Sequence, residues 1–378
     1  MVDASACQYL AQQPAFSANK PAFLLSFPTE TDGPLNQSAF LYDNAVAAIA
    51  LVGCGETAKA KRITDAIIFA QSNDRYWHDG RLRNAYRGGA VETPVKLPGW
   101  WDGQKNQWLE DRYQVGSDVG NMAWALLSLL AVDRGLNDPA YRKAALSLAE
   151  WIERFHDQRG KGAYKGGLFA HEPTPESVEW KSTEHNTDLV AVFRALGAAT
   201  GEKKWIQRAE ENTAFVASLW NGEKKVFATG VGDDGVSVNP IVALDAQIWP
   251  LLAIPGFHSR YIGAVDGAKQ FTGFEEGFAY SEAKEGIWTE GTAQVLLLYR
   301  LLGWNTQAAA LQRVIQQQRA PQGGYFAASN SSIPTSFMLA TDPTKPRLYF
   351  KLPHLGALAW VALAERGFNP FTFSASLP

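Results

Sequence analysis

The stretch WKSTEHNTDLVAVFRALGAATG, residues 180–201, gathers polar and ionisable side chains at the start of an apolar helical pattern. Glu184 and Asp188 are four residues apart, so a helix presents both carboxyls on one face. Ser182 or Thr183 can cap that helix and its dipole favours an acid in the first turn, which explains Glu184 and His185 but not the second acid. Similar starts recur at Tyr42 and Asp43 in FLYDNAVAAIALVG, Asp118 in SDVGNMAWALL, Asp245 in VALDAQIW, Glu290 in IWTEGTAQ and His354 in LPHLGALAW. Carboxyls that meet in one place can divide proton transfer, one acting as acid and another as base.

Helices must bring them together. Met122, Leu126, Leu129 and Leu130 form one helical stripe, and Tyr141, Ala145, Leu148, Ile152 and Phe155 form the next. The first segment is apolar almost all round and the second carries charge on one face, the pattern of an inner helix covered by an outer one. The same pairing recurs at 40–55 with 57–71, 183–201 with 203–220, 242–256 with 260–271, and 288–303 with 306–318, while 352–367 stands last. Six inner starts predict a closed all-α ring with short strands in its rim loops. An N-terminal arm, 1–34, precedes the ring, and its stretch 5–16 is needed to cover the sixth inner helix.

The 378 residues are 46% hydrophobic and 19% charged with a net charge of -3, which gives no basic footprint for nucleic acid. No apolar run approaches the length of a membrane span, so membrane insertion is not expected. A trimmed signal peptide and a periplasmic or secreted location fit the start MVDASACQYL, with a cytoplasmic one left open. Cys7 and Cys54 are either two free thiols or one bridge tying down the arm. HExxH, Walker A, GxSxG and CxxC patterns are absent, and GDDG at 232–235 fails the EF-hand spacing; no metal or cofactor is expected.

Six helix pairs whose inner members open with an acid after an aromatic-rich loop resemble the six-hairpin, or (α/α)6-barrel, glycosidase superfamily. STEHNTD, YDNA and WTEGTAQ are similar to segments of bacterial exopolysaccharide-related glycoside hydrolases. The resemblance implies hydrolysis of a polysaccharide or oligosaccharide, endo-acting and inverting, by paired carboxylates. Glu184 is then the first choice for the acid, with Asp43, Glu290 and Asp188 completing the catalytic set. One objection stands: a helix N-terminus lowers a carboxyl pKa, whereas an acid needs it raised.

Asp118 and Asp245 read as caps or walls of the substrate site rather than catalysts. His185, Asn186, Tyr42 and His354 are candidate sugar contacts. Trp100, Trp101 and Trp288 are candidates for stacking on a sugar face, with Trp77 and Trp108 behind them. Arg83, with Arg81 and Arg87, would grip an acidic sugar. The same fold also hosts lyases and sugar epimerases, for which the histidines would be central, and a non-catalytic glycan-binding protein would use the aromatics alone.

Overall fold

The computed structural model describes residues 5–339 and 341–378. After α1 (Ala6–Ala11), helices alternate between inner and outer positions. The pairs are α2 (Leu41–Gly53) with α3 (Thr57–Ser72), α4 (Val119–Leu136) with α5 (Pro139–Ile152), and α6 (Thr183–Thr200) with α7 (Lys203–Ser218). Next come α8 (Asp245–Ala253), the short α9 (Phe257–Arg260) and outer α10 (Ala264–Thr272), then α11 (Thr289–Leu301) with α12 (Asn305–Gln317). The last inner helix is α13 (Leu355–Arg366). Each inner helix packs on the next, and α13 returns to α2, which closes the ring. The inner helices are apolar all round because both faces are covered: ten of the thirteen residues of α2 are buried.

The sixth outer place is taken by α1, which packs on α13 and α2. Glu365 on α13 accepts the Ala6 amide at 3.0 Å, and a Cys7–Cys54 disulfide joins α1 to the end of α2. Of the two readings of the cysteines, the bridge is the one found. Residues 1–4 of the arm lie outside the described residues.

A repeated device sets where inner helices begin. On α2, α6 and α8 an amide side chain, four residues beyond the carbonyl it also bonds, holds both backbone groups of one residue in a neighbouring loop. Asn44 Oδ1 accepts the Leu24 amide at 2.7 Å and Nδ2 donates to the Leu24 and Phe40 carbonyls at 3.0 Å. Asn186 does the same to Tyr164 at 2.8 and 3.1 Å and to the Ser182 carbonyl at 2.8 Å. Gln247 holds Phe227 at 2.7 and 2.9 Å and the Ala243 carbonyl at 3.0 Å. On α11 the Thr292 hydroxyl substitutes, bonded to the Phe278 amide at 3.2 Å and the Trp288 carbonyl at 2.9 Å. Rim loops and helix starts are thereby locked at one level.

Below that level, Trp124 from α4, Trp249 from α8 and Trp360 from α13 fill the barrel axis, with ring centroids 5.2 to 6.0 Å apart. Phe371, beyond α13, packs on Trp124 at 5.1 Å. The barrel is therefore closed at this depth, and its other end is left for chemistry.

The disulfide joins two cysteines 47 positions apart in sequence. Replacing both cysteines by serine is expected to lower unfolding free energy by about 2–4 kcal/mol, measured by denaturant titration under oxidising conditions.

Candidate active site

The ring brings Asp43, Asp118, Glu184, Asp245 and Glu290 to one end of the barrel, as the helix starts predict. Glu184 sits in the first turn of α6, whose N-cap Ser182 accepts the His185 amide at 3.3 Å. Burial pushes the Glu184 carboxyl well above its ordinary range, and the adjoining Asp245 and more distant Glu290 add to the shift while Arg347 opposes it. Glu184 and Asp245 are close enough for each carboxyl to shift the other's proton affinity, Asp245 raising that of Glu184. Burial likewise brings Asp245 up to about 6, held back by the Ala246 amide on its Oδ1 at 2.7 Å. Desolvation and a like charge thus outweigh the helix dipole, and the objection to a proton-bearing Glu184 falls.

Asp188 lies one turn deeper and is fully buried. Burial, then Glu184 and Asp245, keep its carboxyl well above the ordinary value. Trp124 points its indole N–H towards it, but neither oxygen reaches hydrogen-bond geometry. With 0% exposure it cannot touch a substrate in this structure, which corrects its place in the catalytic set.

A second cluster occupies the α2, α11 and α13 side. His354 Nε2 lies 3.1 Å from Asp43 Oδ2, and its Nδ1 accepts the Ala357 amide at 3.3 Å as the cap of α13. That network puts the imidazole proton on Nε2. Burial works against the imidazolium, yet Asp43 and Glu290 raise the His354 pKa overall. Tyr42 donates to Glu290 Oε1 and receives the Trp360 indole N–H at 2.8 Å, so it stands directly on the tryptophan floor. Burial and then Asp43 drive Glu290 up to about 7 against His354 and Tyr42. Its Oε2 has no hydrogen-bond partner and lies 3.8 Å from His354 Nδ1. Gly356 permits this crowding, since a Cβ there would come within 2.9 Å of both Glu290 Oε2 and Asp43 Oδ1.

Asp118 precedes α4 without capping it, contrary to the capping reading. Burial brings its carboxyl to about 7, opposed by Asn84, Arg347 and Tyr113. His185 packs on Trp180 at 5.4 Å and is pushed down to about 4 by burial and by Arg347, so it is neutral.

Several expected contacts are structural instead. Asn186 is consumed by the amide clamp, with no exposed surface. Arg83 is buried, bonding Asp74 at 2.6 and 2.8 Å and Glu172 at 2.9 Å; it cannot grip a sugar. Arg81 pairs with Asp79 and lies 3.7 Å over the Trp77 ring, whereas Arg87 is an exposed strand residue. Trp100 and Trp101 belong to a hairpin, Trp100–Asp102 with Gln107–Leu109, on which Trp101 faces Trp108. Trp101 and Trp108 are 59% and 53% exposed, and among the described residues no ring contact or hydrogen bond joins them to the acids. Trp288 is 2% exposed, packed behind Tyr280 and Tyr349 at 4.7 and 5.6 Å, and so is a wall rather than a stacking face.

The residues missed are Arg347, Tyr349, Tyr280, Tyr113 and Phe27. Arg347 and Tyr349 come from a long rim hairpin, Ser332–Leu339 with Asp342–Phe350, and Phe27 stacks on His354 at 4.7 Å. The alternating TSFML and RLYF stretches carried the hairpin signal. No group of three or more His, Cys, Asp or Glu among the described residues is placed to hold a metal ion.

No sequence-family profile matches the chain, and neither does any curated protein. Solved structures do match. A sugar epimerase from a ruminal bacterium superposes with TM-score 0.65 at 11% identity, over 96% of this chain and 96% of that one. The fold is an (α/α)6 barrel. An α-amylase from Clostridium perfringens matches with TM-score 0.65 at 11% identity, covering 96% of this chain and 98% of its own. A glycosidase matches with TM-score 0.60 at 14% identity over 96% of both chains. This (α/α)6 barrel thus shares its architecture, over nearly its full length, with proteins of more than one activity.

Two expectations follow from the site. The raised carboxyls Glu184, Asp188, Asp118, Asp245 and Glu290 bind protons in the folded chain that the unfolded chain has released. Their contribution to stability is complete below their ordinary values of 3.8 to 4.5 and is lost as pH rises through about 6 to 7. Melting temperature should accordingly be higher near about pH 5 than near about pH 8. Arg83→Met should lower unfolding free energy by about 3 kcal/mol, since it strands Asp74 and Glu172, while leaving any ligand affinity unchanged.

Proposed function

We propose that the protein is a glycoside hydrolase acting on a polysaccharide or oligosaccharide with inversion at the anomeric carbon. The observation that carries this reading is a partly accessible Glu184 whose carboxyl is held protonated by burial and by Asp245, at the same end of the barrel as a buried Glu290 whose Oε2 has no partner. A buried acceptor left without a hydrogen bond calls for a water or a ligand group. In the proposed step Glu184 protonates the departing glycosidic oxygen as the bond to C1 breaks. Glu290, with Tyr42 fixed on its other oxygen, takes a proton from a water that attacks C1 from the opposite face. The products are an alcohol and a sugar of inverted configuration, and the two carboxyls have exchanged one proton. Fold-mates named as a glycosidase and an α-amylase support the class. The Cys7–Cys54 bridge supports an oxidising, extracytoplasmic location.

A second reading, a sugar epimerase, is favoured by two histidines at the starts of inner helices, His185 neutral and His354 paired to Asp43. Two fold-mates are named as epimerases.

The test is a screen of neutral and acidic glycans, following new reducing ends, product size, anomeric configuration by NMR and ultraviolet absorbance together. Hydrolysis predicts new reducing ends, without absorbance, that start as the inverted anomer; short products throughout the chain would mark internal cleavage. Glu184→Gln and Glu290→Gln should each lower kcat roughly 10²–10⁴-fold, and azide should restore part of the Glu290→Gln rate. Rescue of Asp118→Asn instead would move the base to Asp118. Sugar isomers without new ends would establish the epimerase, absorbance a lyase, and binding without turnover a glycan-binding protein.

A further inference from the structure

Arg347 is a cation at the site whose charge the proposed chemistry does not use. It lies on the second strand of the rim hairpin, two residues before Tyr349, so the two side chains leave the strand on the same face. Tyr349 fixes where that face points: its ring lies 5.6 Å from Trp288, 5.7 Å from Tyr280 and 6.4 Å from His354. The Arg347 guanidinium stands 5.9 Å from the Tyr349 ring. Its charge acts on Glu184 and His185 of α6, on Asp118 at the start of α4, and on Asp245 of α8. With the Tyr349 ring beside it, the guanidinium stands on the hairpin face that carries Tyr349 towards His354.

Among the described residues Arg347 makes no ion pair, and its guanidinium makes no hydrogen bond. In this it differs from Arg75, Arg83 and Arg208, which are bound to carboxylates, and it differs from other unpaired arginines in standing beside Tyr349 at the rim. Arg347 is exposed to solvent. No carboxyl among the described residues neutralises it by contact. What remains is a planar fork of donors with no protein partner among the described residues, beside the Tyr349 ring. Such a fork matches a carboxylate in two parallel hydrogen bonds, whereas a neutral hydroxyl uses only one of its arms.

We propose that Arg347 binds a carboxylate of the substrate, and that the sugar seated over Glu184 is a uronic acid. The proposal deepens the hydrolase reading and rests on it for the cleft being a glycan site. Arg347 is then a specificity residue, brought to the barrel by the hairpin rather than by an inner helix. It takes over the role the sequence assigned to Arg83, which the fold has committed to Asp74 and Glu172.

The test separates binding from turnover. Glu184→Gln protein is titrated calorimetrically with glucuronate-containing and galacturonate-containing tetrasaccharides, and with their carboxyl-reduced counterparts of identical linkage. At least one acidic ligand should bind roughly 10- to 100-fold more tightly than its reduced form, and added salt should narrow the gap. Adding Arg347→Gln should abolish the preference, and Arg347→Lys, which keeps the charge but loses the fork, should retain part of it. Melting curves of both variants establish that they fold. Equal binding of acidic and reduced forms, or a preference that survives Arg347→Gln, would overturn the proposal and leave the hydrolase reading standing. Binding of none of these saccharides would overturn both.

Discussion

A side-chain amide bonded to both backbone groups of a loop residue fixes the level at which three of the six inner helices start. Without it, each rim loop would carry an unpaired donor and acceptor into a buried place, and the helix beneath could slide along its axis. With it, Asp43, Glu184 and Asp245 emerge at a common height, one residue before Asn44 and two before Asn186 and Gln247. The convergence of acids is thus a by-product of satisfying loop backbone. Where α4 lacks the amide, Asn84 supplies the equivalent from the loop side, accepting the Asp118 amide at 2.7 Å.

The electrostatics of the site follow from that placement and from the tryptophan floor. Helix N-termini favour carboxylate anions, and five of the six inner helices bring an acid to this end of the barrel. Yet the walls are aromatic, the floor is three indoles, and the acids stand close to one another, so water is scarce and like charge is near. Desolvation wins, and protons stay on groups that would be ionised on an open surface. Tyr42 links the two halves of this arrangement, since its hydroxyl joins the floor at Trp360 to the carboxyl of Glu290. A change in packing at the floor is therefore felt as a change in acidity at the site.

The ring was legible because its signal is periodic: apolar inner helices and one-sided outer ones repeat often enough to be counted, and every inner start falls within three residues of the acid or histidine that marked it. The convergence of Glu184, Asp245, Glu290, Asp43 and His354 was legible for the same reason, as each opens an inner helix. Partner choice was not. Arg83 and Arg347 are alike as residue types, and only the fold places Asp74 and Glu172 around one and leaves the other unpaired. Asn186 stands beside Glu184 and looks equally functional, but a helix turns successive side chains by about 100°, which directs one to the cleft and the other to the loop behind. The exposed tryptophans misled because a Gly-rich aromatic loop has the same composition whether it edges a cleft or projects from the rim.

The rim hairpin stands apart from this scheme, since its tie to the cleft is a few side chains rather than a share of the helical framework. Tyr349 and Arg347 enter from above, between α12 and α13, while the proton-handling groups are anchored in helices locked to their loops. Recognition and proton transfer are therefore carried by separate pieces of chain. A lineage could lengthen, shorten or recolour the hairpin and visit new ligands without disturbing the acids, which makes this insertion the place where descendants of the barrel would be free to diverge.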